Sequence, residues 1–389
     1  MKISDVADII NVTEKDPSNC GIDVFVGLEH YDIAEPVIKR FGSTKMLTTA
    51  TKKFEAGDVL IARRNVYLQR ASLARFSGLT SGDSIILRVK KNLCSEKTDY
   101  DTMCKLLPFI LNSINFWDYA NTNADGTMSK RLSPAMLLEY EFDLPSIEEQ
   151  KVLAEKLWAA YEVKQSYLKM IDATEEMVKS RFVEMFGNPI TNPKGWKLKR
   201  LEELYTVSSS KRIYAKELCS DGLIPFLKVS DIIDLIENGA FEHSTSITEQ
   251  RYNELLEMGQ VPKADDILIT SRGTIGKCYI VKALDKFYFQ DGMITWLKQC
   301  KGNDIESAFF VSLFQSQEFA EIIKGITNKT TVTYVSLEKL SKIAIPVPPL
   351  ALQIKFLAIA EQADKSISEL RKSIDAIDKV IKSLINENL

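Results

Sequence analysis

The stretch SRGTIGKC at residues 271–278 holds the best candidate for phosphate chemistry, because two glycines and a lysine at this spacing can wrap backbone amides and an ammonium around an anion. A nucleotide-binding P-loop needs glycine where Ser271 stands and serine or threonine where Cys278 stands. The segment therefore reads better as a tight strand connection in which Gly273 and Gly276 permit close backbone approach. EEQK at 148–151 contains the E-x-K of a nuclease fragment, but Ser146 and Glu149 stand there in capping-box spacing and a capping role suffices. Two histidines, His30 and His243, are too few for a histidine metal centre or a catalytic triad. The six cysteines show no C-x-x-C spacing, which predicts buried thiols in a reducing compartment. With no N-P-P-[FY] methylation loop and no glycine-rich nucleotide fingerprint, the chain is expected to be non-catalytic and to hold no metal or cofactor of its own.

What remains is charge. The 389 residues carry a net charge of −3, and no long segment is basic as a whole, yet the cations are unevenly placed. Residues 61–91 hold Arg63, Arg64, Arg70, Arg75, Arg88, Lys90 and Lys91 against Asp83 alone. A second cluster runs from Lys194 to Lys216 and includes Lys211 and Arg212. Such clusters can supply a phosphate-contacting surface on a neutral protein, and a solvated charged face explains one cluster alone about as well. The composition, 45% hydrophobic and 26% charged, is that of a soluble globular chain. No membrane-length apolar window occurs, and a cytoplasmic location is expected.

The elements that must position these residues occur twice. Shifted by 203, LSPAMLLEYEFDLPSIEEQ (132–150) runs against VSLEKLSKIAIPVPPLALQ (335–353), matching Ser133 to Ser336, Pro145 to Pro348 and Gln150 to Gln353. Upstream, GIDVFVGLEH (21–30) resembles GLIPFLKVSD (222–231), and EAGDVLIARR (55–64) resembles KADDILITSR (263–272). Each copy opens with strand-like runs: VFVGL, DVLIAR and DSIILRV in the first, IPFLKV, DILITS, CYIV, FYF and MITWL in the second. One helix is expected over YDTMCKLLPFILNSINFW and one over SAFFVSLFQSQEFAEIIKG. The fold class is thus α+β, two tandem mixed α/β domains at 1–145 and 189–349, alternating with long helices at 146–188 and 350–389.

The long helices carry seams. Ile367, Leu370, Ile374, Ile377, Ile381 and Leu384 repeat at 3 and 4, and the earlier helix carries Ile171 and Val178 on a looser stripe. Neither seam can stay in water, and the natural partner of each helix is the other. A pseudo-two-fold between the copies makes the pair an antiparallel coiled coil. At 1.5 Å per residue it would be a rod of about 60 Å with a domain at each end.

In this order and duplication, FVEMFGNPITNPKGWKLKRLEEL (182–204), GLIPFLKVSDI, DDILITSRGTIGK and IAIPVPPLALQ before a long helix make the chain resemble the specificity subunit of a type I restriction-modification enzyme, over essentially its whole length. The first copy departs from the pattern: IARRNVYLQR replaces ITSRGTIGK, and no tryptophan precedes KISDVADI. The resemblance implies two target-recognition domains, each binding one half of a bipartite double-stranded DNA target. It further implies two modification (methyltransferase) subunits that use S-adenosylmethionine for adenine methylation, and restriction subunits that cleave with ATP and Mg. The candidate DNA contacts are Arg63, Arg64, Arg70 and Arg75 in the first domain. In the second they are Lys211, Arg212, Tyr214, Arg272 and Lys277, with Thr330, Thr331 and Tyr334 as neutral contacts. Two other readings stand beside it. One is a coiled-coil protein–protein scaffold without DNA binding, which near-neutral charge favours; the other is a nucleotide-dependent enzyme using residues 271–278.

Overall fold

VLIA at 59–62 and ILIT at 267–270 are buried at every position, and each becomes an inner strand because apolar layers cover both of its faces. The computed structural model describes residues 1–389 except 46, 128, 243–244, 300–303 and 328–333. It divides into a first unit, Met1–Met170 with Glu369–Leu389, and a second, Ile171–Ser368.

Among its described residues the first unit has strands β1 (Ala7–Ile10), β2 (Val12–Glu14), β3 (Val24–Val26), β4 (Gly42–Ser43), β5 (Thr51–Phe54), β6 (Val59–Ala62), β7 (Ala71–Leu73), β8 (Gly78–Thr80) and β9 (Ser84–Val89). One sheet is antiparallel in the order β1-β9-β6-β7; the other runs β2-β5-β8-β3-β4, with β3 and β8 parallel. The pleat sorts side chains by parity. Val59, Ile61, Ile85 and Leu87 face a core shared with Met103, Leu106, Leu107 and Ile110, while Leu60, Ala62 and Ile86 face Val26, Tyr31, Ile38 and Phe54.

The second unit repeats the plan. Its strands are β10 (Lys197–Arg200), β11 (Tyr205–Ser208), β12 (Ile224–Leu227), β13 (Ser246–Ile247), β14 (Ile267–Thr270), β15 (Cys278–Ile280), β16 (Tyr288–Phe289), β17 (Ile294–Gln299) and β18 (Ala344–Val347). The antiparallel order β11-β17-β14-β15 matches β1-β9-β6-β7, and β12 pairs parallel with β16 as β3 does with β8. Ile267, Ile269 and Leu297 face one core while Leu268, Ile294 and Trp296 face another, the parity of the first copy again. The strands expected from the sequence stand where they were read. β2 and β5 lengthen the second sheet of the first unit, whereas the second unit has the helices Val229–Asn238 and Glu249–Glu257, the first opening at the last residue of IPFLKV, whose strand ends at Leu227.

Each expected globular helix is instead two. Tyr100–Ile110 and Ile114–Thr122 are separated at Ser113, and Ser307–Phe314 and Gln317–Ile326 at Ser316. Both serines accept the backbone N–H three residues on, from Phe116 and Phe319, so each starts a new helix by capping it. They stand 203 residues apart, the offset of the repeat.

The long helices run Ile147–Phe186 and Leu350–Asn388. Within the first unit Leu153 and Leu157 share a core with Ile385 and Leu389, and Lys164 meets Asp378 at 2.6 Å, so one helix rises in number as the other falls. Within the second unit Phe182 and Phe186, in the last turns of one helix, pack on Phe356 in the first turns of the other at 5.3 and 5.6 Å between ring centroids. Each ring so buried contributes roughly 1.5–3 kcal/mol. Of the seam residues, Ile171 and Ile374 are buried and Val178, Ile367, Leu370, Ile377, Ile381 and Leu384 half-buried. Both helices begin on a buried glutamine. Gln150 donates to the carbonyls of Lys97 and Pro145, and Gln353 to those of Asp304 and Pro348.

Candidate nucleic-acid interface

The hairpins β6–β7 and β14–β15 correspond in the two copies, and their loops carry most of the cationic candidates. In the first unit the loop is residues 63–70. Asn65 and Gln69 flank its single turn of 3-10 helix, and both adopt the left-handed backbone, at φ 55° and 50°. Arg70 braces the loop from inside: its guanidinium donates to the carbonyls of Leu28 at 2.9 Å and Arg64 at 2.8 Å, and burial lowers its pKa from the ordinary value. Arg64 is exposed and donates to Ser129 at 3.0 Å, while Arg75 lies over the Trp158 ring at 5.1 Å. Arg75 therefore packs on the long helix of its own unit, and Arg63 and Arg64 are the two that stand at the loop's root.

A segment from far along the chain completes this loop. Leu132 donates to the Arg63 carbonyl, Asn65 donates to that of Lys130, and Arg64 and Arg131 form a β-bridge. The second unit builds the same join: Val335 donates to the Ser271 carbonyl and Arg272 bridges Tyr334. Arg131 and Tyr334 are 203 residues apart. Sequence reading named Tyr334 and missed Arg131, although the repeat offset applied to Tyr334 points straight to it.

The loop at 271–277 turns on glycine. Gly273 and Gly276 have φ of +74° and +92°, and Gly276 donates to the Thr270 carbonyl, closing the hairpin tightly. Arg272 is exposed beside Tyr334, and Lys277 is 3.0 Å from Glu237. Lys211, Arg212 and Tyr214 gather instead beside the sheet of β12 and β16. The Lys211 amide donates to the Tyr288 hydroxyl, Arg212 pairs with Asp291 at 2.9 Å, and Tyr214 is 59% exposed. Thr330 and Thr331 lie outside the described residues. The structure thus brings Arg63 and Arg64 together at one hairpin, Arg272 and Tyr334 at the other, and leaves Lys211, Arg212 and Tyr214 as a separate group.

Two α+β units thus share one sheet plan, and each presents a cation-bearing hairpin and packs segments of both long helices within itself. Residues 193–379 match the family model of the type I restriction modification DNA specificity domain. The chain is 27% identical to a Haemophilus influenzae protein named as a type I restriction enzyme specificity subunit, over 46% of this chain and 43% of the relative. It is 23% identical to the MjaVIII specificity subunit of Methanocaldococcus jannaschii, over 69% of this chain and 65% of that one. These alignments span less than two thirds of the length of the curated relatives. The fold is shared with a chain from a structural study of assembly and conformational transition in a type I R-M system, at TM-score 0.58, 16% identity and coverage of 99% and 95%. It is likewise shared with the type I restriction-modification S subunit of M. genitalium, at TM-score 0.55, 16% identity and coverage of 99% and 94%. Residues 193–379 thus carry the type I restriction modification DNA specificity domain, and the chain as a whole is similar to type I restriction-modification specificity subunits.

Proposed function

We propose that this chain reads a bipartite double-stranded DNA target, one half-site for each recognition domain (1–145 and 189–349), and directs partner subunits to it. The observation that carries this reading is the doubled hairpin. The same strand order, the same bridge from loop to distant segment and an arginine at the same place occur in both units, on otherwise divergent sequence. Two copies of one recognition frame with different loop chemistry are what two different half-sites require. Arg63, Arg64, Lys211, Arg212, Tyr214, Arg272, Lys277 and Tyr334 are the proposed contacts, with Arg70 bracing the first loop. Thr330 and Thr331 stay in the proposal as neutral contacts. The exposed faces of the long helices would dock two methyltransferase subunits and restriction subunits, which would supply S-adenosylmethionine, ATP and Mg. Adenine methylation and cleavage are theirs in this reading, and the complex acts in the cytoplasm. Among the described residues no helix is long and apolar enough to cross a membrane.

Methylation sequencing of DNA from cells carrying the chain with its methyltransferase partner, beside cells carrying the partner alone, tests this. A bipartite motif with a fixed gap, methylated only when the chain is present, is the expected result. An active pair that leaves no sequence-dependent methylation would overturn it in favour of a protein-binding scaffold.

A further inference from the structure

The root of the first hairpin gathers more positive charge than its loop sequence shows. Lys52 on β5 sends its ammonium to the Ser84 carbonyl at 2.9 Å, at the end of β9 that pairs with Ala62. Burial and the nearby Arg63 both lower the Lys52 pKa from its usual value. The Nε atoms of Arg63 and Arg70 are buried without a hydrogen-bond partner. Arg131 arrives through its bridge to Arg64 and reaches Asp83 at 3.7 Å. Among the described residues, Asp83 is the one carboxylate found in an ion pair with any of these cations, and Asp125 meets Arg131 through main-chain hydrogen bonds. Like charges drawn together and partly dried are unfavourable unless an anion joins them.

We propose that Lys52, Arg63 and Arg131 hold backbone phosphates of duplex DNA, and that Asp83 occupies their shared anion position when DNA is absent. This rests on the DNA-reading function above. The assignment is to phosphate because Lys52 is a point charge set back on a strand, without the paired donors a base edge needs. Arg64 and Tyr67, the latter 62% exposed, are left at the loop surface for bases. The Asp83 contact then acts as a competitor: it lowers affinity for every sequence alike and leaves base preference untouched.

The test uses the full chain and fluorescently labelled duplexes of unrelated sequence, titrated from low to physiological salt, with Asp83→Asn, Lys52→Met and Arg131→Gln beside the wild type. Asp83→Asn should tighten binding to all duplexes, a gain that misfolding cannot produce. Lys52→Met and Arg131→Gln should weaken all duplexes alike. Each lost phosphate contact should flatten the slope of log affinity against log salt by about 0.9, about threefold in affinity over a fourfold salt range. If the wild type binds DNA but Asp83→Asn does not tighten it and the other two keep its slope, the inference is overturned and DNA reading survives. If inorganic phosphate raises the melting temperature while the variants leave duplex affinity unmoved, the cluster holds free phosphate, and the DNA assignment fails. A wild type without salt-dependent duplex affinity removes both readings.

Discussion

In the first unit the hairpin loop is held in shape by side chains, and in the second by glycine. Asn65 and Gln69 adopt left-handed backbone, with Arg70 and Ser129 tying the loop down, whereas Gly273 and Gly276 take the same kind of conformation freely. The carboxylates beneath the two hairpins differ in the same sense. Asp58 and Asp266 are matched buried residues that each accept a backbone N–H three residues earlier. Asp58 takes two further hydrogen bonds from Arg88, while Asp266 takes them from the Trp296 indole and the Gln299 amide. One frame therefore tolerates two solutions, one charged and one neutral, provided every buried acceptor is satisfied.

The comparison is broken or sharpened most strongly at Arg88. Arg88→Met strands a fully buried carboxylate and should cost about 3–5 kcal/mol. Lys298→Met in the second copy removes a cation 3.8 Å from the Trp296 ring centroid and leaves the donors of Asp266 in place. It should cost about 0.5–1 kcal/mol. Urea denaturation of the two variants measures both, and equal losses would mean that the carboxylates are not held differently. At the level of specificity, Arg64→Gln and Arg272→Gln should each relax base preference at one half of the target by about 1–3 kcal/mol and leave the other half unchanged. Methylation sequencing separates the halves; if either variant loosened both, the one-domain-one-half-site correspondence would be lost.

The loops themselves give smaller effects of opposite sign. Gly273→Ala puts a side chain into left-handed backbone and should destabilise by about 1–2 kcal/mol, although no atom stands within 4 Å of the added carbon. Gln69→Gly relieves the same strain and should stabilise by about 0.5 kcal/mol after the entropy of glycine is deducted. One further effect appears only in alkali. Burial pushes Tyr31 and Tyr288 up to about 12 from the ordinary 10.0, one in each unit. The unfolded phenols ionise first, so stability is unaffected below pH 10 and falls as pH rises from 10 to about 12. Tyr31→Phe and Tyr288→Phe should each flatten that fall by a similar amount in melting curves.

Much of this was legible in the sequence because both copies obey the same parity rule. DVLIAR and DILITS read as buried strands because they are short, apolar and bounded by turn residues, and the repeat, at offsets from 201 to 208, fixes which element answers which. The helix break was not legible: Ser113 and Ser316 look like tolerable helix interior until their hydroxyls are seen capping. Arg75 shows what a cation cluster alone does not reveal. Its partner Trp158 is 83 positions away, and no local pattern connects them. Arg131 was hidden for the opposite reason, as an isolated arginine brought to the loop by a bridge that the repeat alone could disclose.

Gln150 and Gln353 give the doubled plan a particular latitude. Each grips main-chain carbonyls, which every residue possesses, so the seat of a domain on its helix is indifferent to the side chains at positions 97 and 304. Mutational drift in either domain can then proceed without loosening its mounting. In the proposed reading of two half-sites, such a joint would let one half of the molecule acquire a new preference while the other keeps the old one.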